Sequence, residues 1–267
     1  MIEGRKKKFI TELAQKPRLR RESGLFLLDG PKMCAELCPD ETEEVLVTRG
    51  FLQSGYAESC LPLLSHVGYT EVTDAEMKQM SDTVTPQGIL AVVRQRKTKG
   101  LGGLLQGSAE IPFLLLLETI QDPGNLGTIL RAAEAAGVTG IVMNRTCVDV
   151  YAPKVVRSTM GAILRVPFLV TDDLIETAHA LHAREEEFRL YAAHLAGAVP
   201  YDHVDYCGAC AIMIGNESRG LSDALTETAD QAVKIPMCGK TESLNAAMAA
   251  AILSFEASRQ RRNFREP

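Results

Sequence analysis

Short, wholly apolar segments alternate with helical segments through the second half of the chain, and this alternation strongly restricts the possible folds. Phe113–Leu117 is five consecutive apolar residues, which is typical of a strand covered on both faces. Apolar residues within Leu126–Ala133 then follow at helical spacing, and Gly137 ends that helix. Repetition of this kind predicts an α/β fold with a mostly parallel sheet and helices on both faces. Further strands are predicted at Gly140–Met143, Arg165–Leu169, Arg189–Ala193, Ala209–Ile214 and Ala232–Ile235, and a long last helix at Ser243–Arg262. The apolar stripe that this helix would turn to the core consists of Leu244, Ala247, Met248, Ala251, Ile252 and Phe255.

The first 95 residues show the same alternation in shorter segments. Residues 96–110 then pass from charged residues to glycines without apolar periodicity, which is typical of a linker. We therefore expect a small α/β domain at residues 1–95, a linker at 96–110 and a larger α/β domain at 111–267. In the small domain, strands are predicted at Gly24–Leu28, Glu44–Val47, His66–Val72 and Gly88–Val93, with helices at Pro31–Cys38 and Ala75–Met80, the latter capped by Asp74.

The composition is that of an ordinary globular protein. The chain has 267 residues, 46% of them hydrophobic and 24% charged, which supports a buried core and excludes collagen-like or largely disordered chains. No stretch approaches the roughly 18 uncharged apolar residues that a membrane-spanning helix needs, and the charged N-terminus leads into no apolar segment with a cleavage site. Seven cysteines, an odd number, suit a reducing compartment. We therefore expect a cytoplasmic protein.

Cys207 and Cys210 form a C-x-x-C pair, which occurs in zinc sites and in redox sites. No second pair of this kind and no pair of histidines at ligand spacing lies nearby, and the pair runs into the apolar stretch Ala209–Ile214. We interpret it as the start of a strand, and we predict no metal site.

The net charge of −5 is unevenly distributed. The first 21 residues carry eight lysines and arginines against two glutamates, and a basic end on an acidic protein can bind a polyanion. A solvated helix face accounts for the same charges equally well. The basic side chains that we single out are Arg5, Lys6, Lys7, Lys8, Arg18, Arg20 and Arg21.

The loop after Phe113–Leu117 is the first of three candidate ligand sites, because open parallel sheets bind ligands beyond the carboxyl ends of their strands. A turn precedes the helix, and Arg131 lies on the helix face opposite the apolar stripe. The small residues Gly127 and Thr128 leave its guanidinium room to reach an anion or a substrate. Alternatively, Asn125 caps the helix and Arg131 is a solvated surface residue.

Two later loops follow predicted buried strands in the same way. Residues 215–222 have glycine at or near each end, which suits backbone that bends sharply or approaches a ligand closely. Glu217 in this loop could be an acid, a base or the partner of a cation, and the alternative is an exposed turn residue. In residues 236–245, Ser243 is a natural helix cap, and Asn245 would present its amide in the first helical turn.

Together these loops resemble the three motifs of one enzyme family. The three segments are P-G-N-L-G-T-I-L-R at 123–131, G-N-E-S-R-G-L-S at 215–222, and I-P-M with E-S-L-N within 235–245. They are similar to the motifs of the SpoU (TrmH-like) RNA 2′-O-ribose methyltransferases of the SPOUT superfamily. R-S-T-M-G-A at 157–162 extends the resemblance over the second domain. The segments that resemble the family's substrate-binding domain are G-L-F-L-L-D-G-P-K at 24–32 and T-P-Q-G-I-L-A-V-V at 85–93.

The resemblance implies a fold and a cofactor. In this family the C-terminal α/β domain, with its mostly parallel sheet, passes part of the chain through a loop as a deep trefoil knot, and the enzymes are homodimers. S-adenosylmethionine binds in the knot, held largely by backbone groups of the second and third loops. The matching positions here are Gly215, Ile235 and Leu244, with Asn216 and Met237 adjacent.

The resemblance also implies the chemistry, which is transfer of a methyl group to a ribose 2′-hydroxyl without a metal. The family's arginine at the position of Arg131 activates the hydroxyl. A guanidinium normally stays protonated, so it suits stabilisation of a developing alkoxide better than proton abstraction. Asn125, Glu217, Ser243 and Asn245 would orient the arginine and the ribose.

The small N-terminal domain would then bind RNA, with the basic residues of segment 5–21 on its phosphates. A separate RNA-binding domain favours ribosomal RNA over transfer RNA as the substrate. Two alternatives stay open: a transfer RNA 2′-O-methyltransferase, and a non-catalytic RNA-binding or ribosome assembly factor on the same fold. A dinucleotide-binding enzyme is disfavoured because Pro123–Thr128 lacks the G-x-G-x-x-G spacing.

Overall fold

The structure is a computed structural model that describes residues 2–96, 98, 100–106, 111–184, 187–195 and 199–265. The chain divides into two compact units. The first consists of Met1–Lys97 and Asp149–Leu164, and the second of Thr98–Val148 and Arg165–Pro267. Asp149–Leu164 therefore belongs to the first unit, although we expected this segment in the C-terminal domain.

The first unit is built around a four-stranded sheet. Its strands are β1 (Leu25–Asp29), β2 (Thr42–Thr48), β3 (Thr70–Val72) and β4 (Ile89–Arg94), in the order β1-β4-β2-β3. Strand β4 is antiparallel to β1 and β2, and β3 is parallel to β2. Its helices, numbered in chain order, are α1 (Gly4–Gln15), α2 (Pro17–Ser23), α3 (Pro31–Cys34), α4 (Arg49–Leu52), α5 (Ala57–Val67), α6 (Asp74–Met80) and α9 (Pro153–Ser158).

Several boundaries in this unit differ from the prediction. The helix predicted at Pro31–Cys38 ends at Cys34. Strand β3 begins at Thr70 rather than His66, because the preceding helix α5 continues further along the chain. Helix α6 is capped by Thr73 rather than Asp74. The Thr73 hydroxyl accepts a hydrogen bond from the Glu76 amide (3.2 Å), and the Glu76 carboxylate accepts one from the Thr73 amide (2.9 Å). This reciprocal pair satisfies two helix-end donors at once.

Arg20 lies inside the first unit, which corrects its assignment to the RNA-binding residues. Its side chain is 3% exposed. The guanidinium donates to the Asp149 carboxylate (2.8 Å) and to the carbonyl oxygens of Leu13 (2.7 Å) and Ala14 (2.9 Å). A buried guanidinium with all these partners is not available to an RNA phosphate. The prediction of phosphate contacts therefore applies only to the other basic residues of segment 5–21.

The second unit contains a seven-stranded sheet. Every strand pair described in it is parallel, which confirms the predicted sheet, while the knot stays a prediction. Its strands are β5 (Phe113–Leu117), β6 (Gly140–Asn144), β7 (Phe168–Thr171), β8 (Arg189–Ala193), β9 (Val199–Pro200), β10 (Cys210–Ile214) and β11 (Gln231–Lys234), in the order β7-β6-β5-β10-β8-β11-β9. Its helices are α7 (Gly100–Gln106), α8 (Pro123–Ala136), α10 (Leu174–His182), α11 (Asp223–Thr226) and α12 (Ala246–Arg265).

Strands β5 and β10 lie side by side, and every residue in both is buried. Leu114 of β5 and Met213 of β10 belong to the same apolar core as Leu181 of α10. Both strands end in polar loops at the same edge of the sheet. The core therefore fixes the starting points of residues 118–122 and 215–222 beside each other.

Part of the expected linker belongs to the second unit, because residues 100–106 form α7. Leu104 of this helix is buried in the core of the unit. A Cβ atom on Gly140 of β6 would lie 2.8 Å from Leu104. Glycine at this position is what lets α7 pack closely on the sheet. Residues 107–110, which are the last residues of the expected linker, lie outside the described residues.

The C-terminal helix α12 presents a different face to the core than we predicted. Ala250, Leu253 and Ala257 are buried, whereas Met248 and Phe255, both expected in the core stripe, are 56% and 46% exposed. The outward apolar side chains leave this face of α12 open for contact with another surface. None of the described helices, α12 included, combines the length and the apolar character needed to cross a bilayer.

Arg261 fixes the end of α12 against the sheet. Its guanidinium donates to the carbonyl oxygens of Tyr206 (2.8 Å) and Ile111 (2.9 Å) and lies 4.9 Å from the centre of the Phe113 ring. The same group contacts Sγ of Cys210 at 3.4 Å. Burial raises the pKa of the Cys210 thiol to about 11. The second cysteine of the C-x-x-C pair thus begins a buried strand, as predicted.

Candidate active site

The three candidate loops lie at the carboxyl edge of the sheet in the second unit. They follow β5, β10 and β11, which are parallel to one another directly or through β8. We call residues 118–125 loop 1, residues 215–222 loop 2 and residues 235–245 loop 3. Because open parallel sheets bind ligands at this edge, the loops are placed where a site was expected.

Loop 1 begins with strained backbone at Thr119, whose φ is 57°. A β-branched residue rarely adopts this left-handed conformation, which costs about 1–3 kcal/mol. Two hydrogen bonds hold it in place: the Thr119 amide donates to Oδ1 of Asn144 (2.9 Å), and its carbonyl accepts from Nδ2 of Asn216 in loop 2 (2.8 Å). Loops 1 and 2 are therefore tied together directly beyond their strands.

Asp122, rather than Asn125, caps α8, because Oδ1 of Asp122 accepts a hydrogen bond from the Asn125 amide (2.8 Å). The Asn125 side chain instead contacts the two other loops. Its Nδ2 donates to Oε1 of Glu217 in loop 2 (2.9 Å), and its Oδ1 accepts from Nδ2 of Asn245 in loop 3 (2.9 Å). A hydrogen-bonded chain, Asn245–Asn125–Glu217, thus joins all three loops, and we call it the three-loop chain.

The Glu217 carboxylate accepts hydrogen bonds from several donors. Besides Asn125, they are the amides of Asp122 (3.3 Å) and Gln121 (3.5 Å) and Nδ2 of Asn216 (3.3 Å). Burial acts to raise the pKa of Glu217, but the hydrogen bonds from Asn125 and the backbone amides outweigh it and hold the pKa below its ordinary value. Glu217 is therefore ionised at neutral pH, which suits orientation of Asn125 rather than proton donation.

Asn245 has a second role, because it also caps α12. Its Oδ1 accepts hydrogen bonds from the amides of Ala247 (2.9 Å) and Met248 (3.3 Å). We predicted Ser243 for this role, and the helix begins later because Asn245 satisfies these free amides instead. Ser243 is exposed and lines the cavity described below.

Arg131 stands apart from the three-loop chain. It lies on the exposed face of α8 with Thr128, whereas Leu126, Ile129 and Leu130 face the core. Within the described part of the chain, its guanidinium makes no hydrogen bond and no ion pair. The structure therefore leaves this cation available to a ligand that approaches the unit from outside.

The residues predicted to hold the cofactor all line one cavity of about 250 Å³. Loops 2 and 3, the end of β8 and the first turns of α12 enclose it. Its apolar lining includes Ile214, Ala249 and Leu253, and its polar lining includes Glu217 and Ser243. We call it the loop 2–loop 3 cavity. The predicted cofactor residues that line it are Gly215, Asn216, Ile235, Met237 and Leu244.

Gly215 is required by the close approach of the backbone within loop 2. A Cβ atom there would lie 2.1 Å from the carbonyl carbon of Gly220, too close for any side chain. Asn216 and Gly220 exchange two backbone hydrogen bonds, each 2.9 Å long, and Gly220 has a φ of 71°. Loop 2 is therefore a tight hairpin that presents bare backbone to the cavity, as close approach to a ligand requires.

Two charged residues at this edge were not identified from the sequence. The Glu118 carboxylate accepts hydrogen bonds from both the amide and the hydroxyl of Ser222, each 2.7 Å long, and so ties loop 1 to loop 2 a second time. Lys234, the last residue of β11, lines the loop 2–loop 3 cavity. The signal that could have found both is their position at the carboxyl end of a strand of the parallel sheet.

The basic side chains of segment 5–21 differ in their surroundings. Lys6 Nζ lies 2.5 Å from the Glu44 carboxylate, and Arg18 Nε lies 2.6 Å from that of Glu22. These two charges are therefore partly neutralised within the first unit. The exposed basic residues of the segment are Arg5, Lys6, Lys8, Lys16, Arg18 and Arg21, and Lys7 is half-buried.

Comparison with known proteins gives matches along almost the whole chain. Residues 112–255 match the SpoU rRNA Methylase family, and residues 5–91 match the MRM3-like substrate binding domain. The chain is 32% identical over 243 residues to the 23S rRNA (guanosine(2553)-2′-O)-methyltransferase RlmP of Bacillus subtilis, with 88% of this chain and 89% of that protein covered. It is 30% identical over 295 residues to the human mitochondrial rRNA methyltransferase 3, with 91% and 69% covered.

The fold also matches solved structures. The SpoU methyltransferase AviRb from Streptomyces viridochromogenes, in complex with the cofactor AdoMet, has a TM-score of 0.85 to this chain at 26% identity, with 98% of this chain and 100% of that chain covered. The sequence match to the methylase family spans more than half of the chain and includes all three loops. This chain therefore belongs to the SpoU rRNA methylase family.

Proposed function

We infer that this chain is an enzyme that transfers the methyl group of S-adenosylmethionine to a ribose 2′-hydroxyl of ribosomal RNA. The observation that carries this inference is the three-loop chain Asn245–Asn125–Glu217, which joins the family's three motifs beside the loop 2–loop 3 cavity. A non-catalytic RNA-binding factor would have no need for these side chains in this arrangement. The names of its relatives, which are ribosomal RNA methyltransferases, support the same conclusion.

The loop 2–loop 3 cavity suits S-adenosylmethionine. The hairpin from Gly215 to Gly220 offers backbone donors and acceptors, and Ile235, Met237 and Leu244 offer apolar contact to an adenine ring. These residues, with Asn216, would hold the cofactor. When bound, the cofactor supplies a methyl carbon on a positively charged sulfur, which an oxygen nucleophile can attack.

The residues of this chain would position the 2′-oxygen and stabilise its charge. In-line methyl transfer depends mainly on alignment of the reacting atoms. As a cation, the Arg131 guanidinium would stabilise the 2′-oxygen as the hydroxyl loses its proton to solvent water, or would bind the neighbouring phosphate. Asn125, held between Glu217 and Asn245, would orient the ribose together with Ser243.

Ribosomal RNA is favoured over transfer RNA as the substrate. The Bacillus subtilis and human relatives described above are named for ribosomal RNA, and the first part of the chain matches the MRM3-like substrate binding domain. The Bacillus subtilis relative is named for a guanosine of 23S rRNA. Large-subunit ribosomal RNA is therefore our first candidate, and transfer RNA is the alternative.

The first unit would bind this RNA. The exposed side chains Arg5, Lys8 and Arg21 of α1 and α2 are suited to phosphate contacts, which dominate the recognition of structured RNA. The proposed domains at residues 1–95 and 111–267 then need two changes, because residues 149–164 join the first unit and residues 100–106 join the second.

A homodimer and a trefoil knot in the second unit are part of the proposal. In support of the dimer, Met248 and Phe255 on α12 are 56% and 46% exposed, with half-buried Ile252 between them. A second copy that covered this stripe would remove its apolar surface from water. We also propose a cytoplasmic location, because the odd number of cysteines suits a reducing compartment.

Transfer of a labelled methyl group from S-adenosylmethionine to total RNA of a strain that lacks this protein tests the proposal. The labelled RNA is separated by size and then digested to nucleosides. We expect label in a 2′-O-methylnucleoside of large-subunit ribosomal RNA. Label in RNA of transfer RNA size would select the alternative substrate. Label on a base would contradict the proposed reaction, and cofactor binding without transfer to any RNA would favour the non-catalytic factor.

A further inference from the structure

The loop 2–loop 3 cavity contains a lysine whose charge has no partner in the protein. Lys234 is the last residue of β11, is half-buried and lines the cavity. Its ammonium group forms no ion pair and no hydrogen bond with any residue that the structure describes. A lysine at the wall of a cavity whose ammonium group has no ion-pair partner is free to attract an anion that enters the cavity, so this position suits an acceptor from outside the chain.

The other charged groups around the cavity do not supply that acceptor. Glu217 is the carboxylate that lines the cavity, and its oxygens are occupied by the Asn125 amide and by backbone amides of loop 1. Arg219 also lines the cavity, but it is exposed and adds a second positive charge. The cavity therefore has positive charge that is not balanced from within.

S-adenosylmethionine carries two positive groups, the sulfonium and the α-ammonium, and one negative group, the α-carboxylate. A lysine close to either positive group would oppose binding of the cofactor. The carboxylate is the part of the molecule that a lysine attracts. We propose that Nζ of Lys234 binds the α-carboxylate of the methionine moiety of S-adenosylmethionine, an assignment that rests on the proposed function.

This contact would select for ligands that keep the amino acid carboxylate. S-adenosylhomocysteine, the product, retains that carboxylate and would use the same contact. Decarboxylated S-adenosylmethionine keeps the adenosine, the sulfonium and the amine but lacks the carboxylate. The pair of S-adenosylmethionine and its decarboxylated form therefore isolates the contribution of one functional group.

Calorimetric titration of the full chain with these two ligands tests the assignment. The variants are Lys234→Met, which removes the charge, Lys234→Arg, which keeps it, and Lys240→Met, which removes an exposed lysine of loop 3 that does not line the cavity. We expect Lys234→Met to weaken binding of S-adenosylmethionine about tenfold, a loss that corresponds to one charged contact in a partly solvated site. Its affinity for the decarboxylated form should stay within about twofold of the unsubstituted protein.

Lys234→Arg should retain most of the affinity for S-adenosylmethionine, and Lys240→Met should retain all of it. Equal losses for the two ligands in Lys234→Met would mean that the lysine supports the shape of the cavity, and would overturn the assignment. Tighter binding of S-adenosylmethionine by Lys234→Met would place the lysine near a positive group and would also overturn it. If the unsubstituted chain binds neither ligand, the proposed function itself fails. Thermal unfolding of each variant confirms that the comparison is made between folded proteins.

Discussion

The guanidinium of Arg20 and the carboxylate of Asp149 lie 2.8 Å apart, although the two residues are separated by 129 positions in the sequence. The Arg20 side chain is 3% exposed and the Asp149 side chain 19% exposed. Asp149 belongs to the segment between β6 and β7, yet it neutralises a cation in the interior of the first unit. The folding of this unit therefore depends on a residue that follows the first two strands of the second.

Replacement of Asp149 by alanine should strongly destabilise the first unit. It would leave the Arg20 guanidinium buried without its carboxylate, which costs about 3–5 kcal/mol in comparable pairs. Urea unfolding followed by a probe in the first unit measures the effect. As a matched control, Arg18→Met removes the exposed pair with Glu22, and this should cost less than about 1 kcal/mol.

The double variant Arg20→Met with Asp149→Leu should recover much of the lost stability, because two apolar side chains replace the buried charges. An unchanged unfolding midpoint in Asp149→Ala would show that water or another group reaches Arg20 and that the pair is not needed.

Asn245→Asp should separate the two roles of Asn245. An aspartate can still accept the hydrogen bonds of the Ala247 and Met248 amides, so the cap of α12 is kept. The variant loses the Nδ2 donor to Asn125 and breaks the three-loop chain. We expect a loss of about 100-fold in methyl transfer, the scale found for single orienting contacts, with the free energy of unfolding little changed.

Asn245→Ala is the control for that experiment. It removes both the cap and the donor, so it should lose transfer to a similar extent and also about 1 kcal/mol of stability. Full activity in Asn245→Asp would show that the hydrogen bond from Asn245 to Asn125 is not needed to orient Asn125.

Glu217→Gln should reduce activity, and its effect on stability should depend on pH. The pKa of Glu217 is held below its ordinary value by hydrogen bonds that favour the carboxylate. The Glu217 carboxylate therefore contributes fully to the stability of the folded protein above its pKa in the unfolded chain, which is about 4.3. This stability is lost as the pH falls through the lower pKa that Glu217 has in the folded protein. The difference in unfolding free energy between the two proteins should be largest near neutral pH and should shrink in acid.

Denaturant titrations from neutral pH down to about pH 3 measure this trend. A stability difference that grew as the solution became more acidic would mean that the folded protein favours the protonated carboxyl group, contrary to the hydrogen bonds described here.

Gly215→Ala should open loop 2 and impair cofactor binding. The added Cβ atom would meet the Gly220 carbonyl carbon at 2.1 Å, and backbone at that distance must move. Overpacking of this kind costs about 1–3 kcal/mol, and we expect binding of S-adenosylhomocysteine to weaken at least about tenfold.

The matched control is Gly239→Ala in loop 3, where an added Cβ atom has no neighbour within 4 Å. It should bind S-adenosylhomocysteine normally. Normal binding by Gly215→Ala as well would show that the hairpin can relax without loss of the cavity.

The parallel sheet was predictable because strand β5 is apolar along its whole length. A strand that is buried on both faces is typical of a parallel sheet covered by helices, and few other folds contain one. The loops of the site were found by the same reasoning, since they follow those strands. The choice of cap was not predictable in this way. Ser243 and Asn245 are both good cap residues two positions apart, and the contact of Asn245 with Asn125 decides between them only in the folded protein.

Burial of the basic residues was also beyond the reach of the sequence. Arg20 and Arg21 are adjacent and chemically identical, but one is buried and the other exposed. The difference depends on Asp149, whose proximity no local pattern records. In the same way, periodicity identified the apolar residues of α12, but it could not tell that Met248 and Phe255 face outward.

The return of residues 149–164 to the first unit has a consequence for dissection of this protein. A cut in residues 97–111 would give two polypeptides. The C-terminal polypeptide would still contain residues 149–164, which form part of the interior of the first unit. The two should stay associated in native buffer and separate only in denaturant. A truncation or a gene fusion that transplants residues 1–97 alone would therefore move a unit that lacks residues 149–164, including the carboxylate that pairs with its buried arginine.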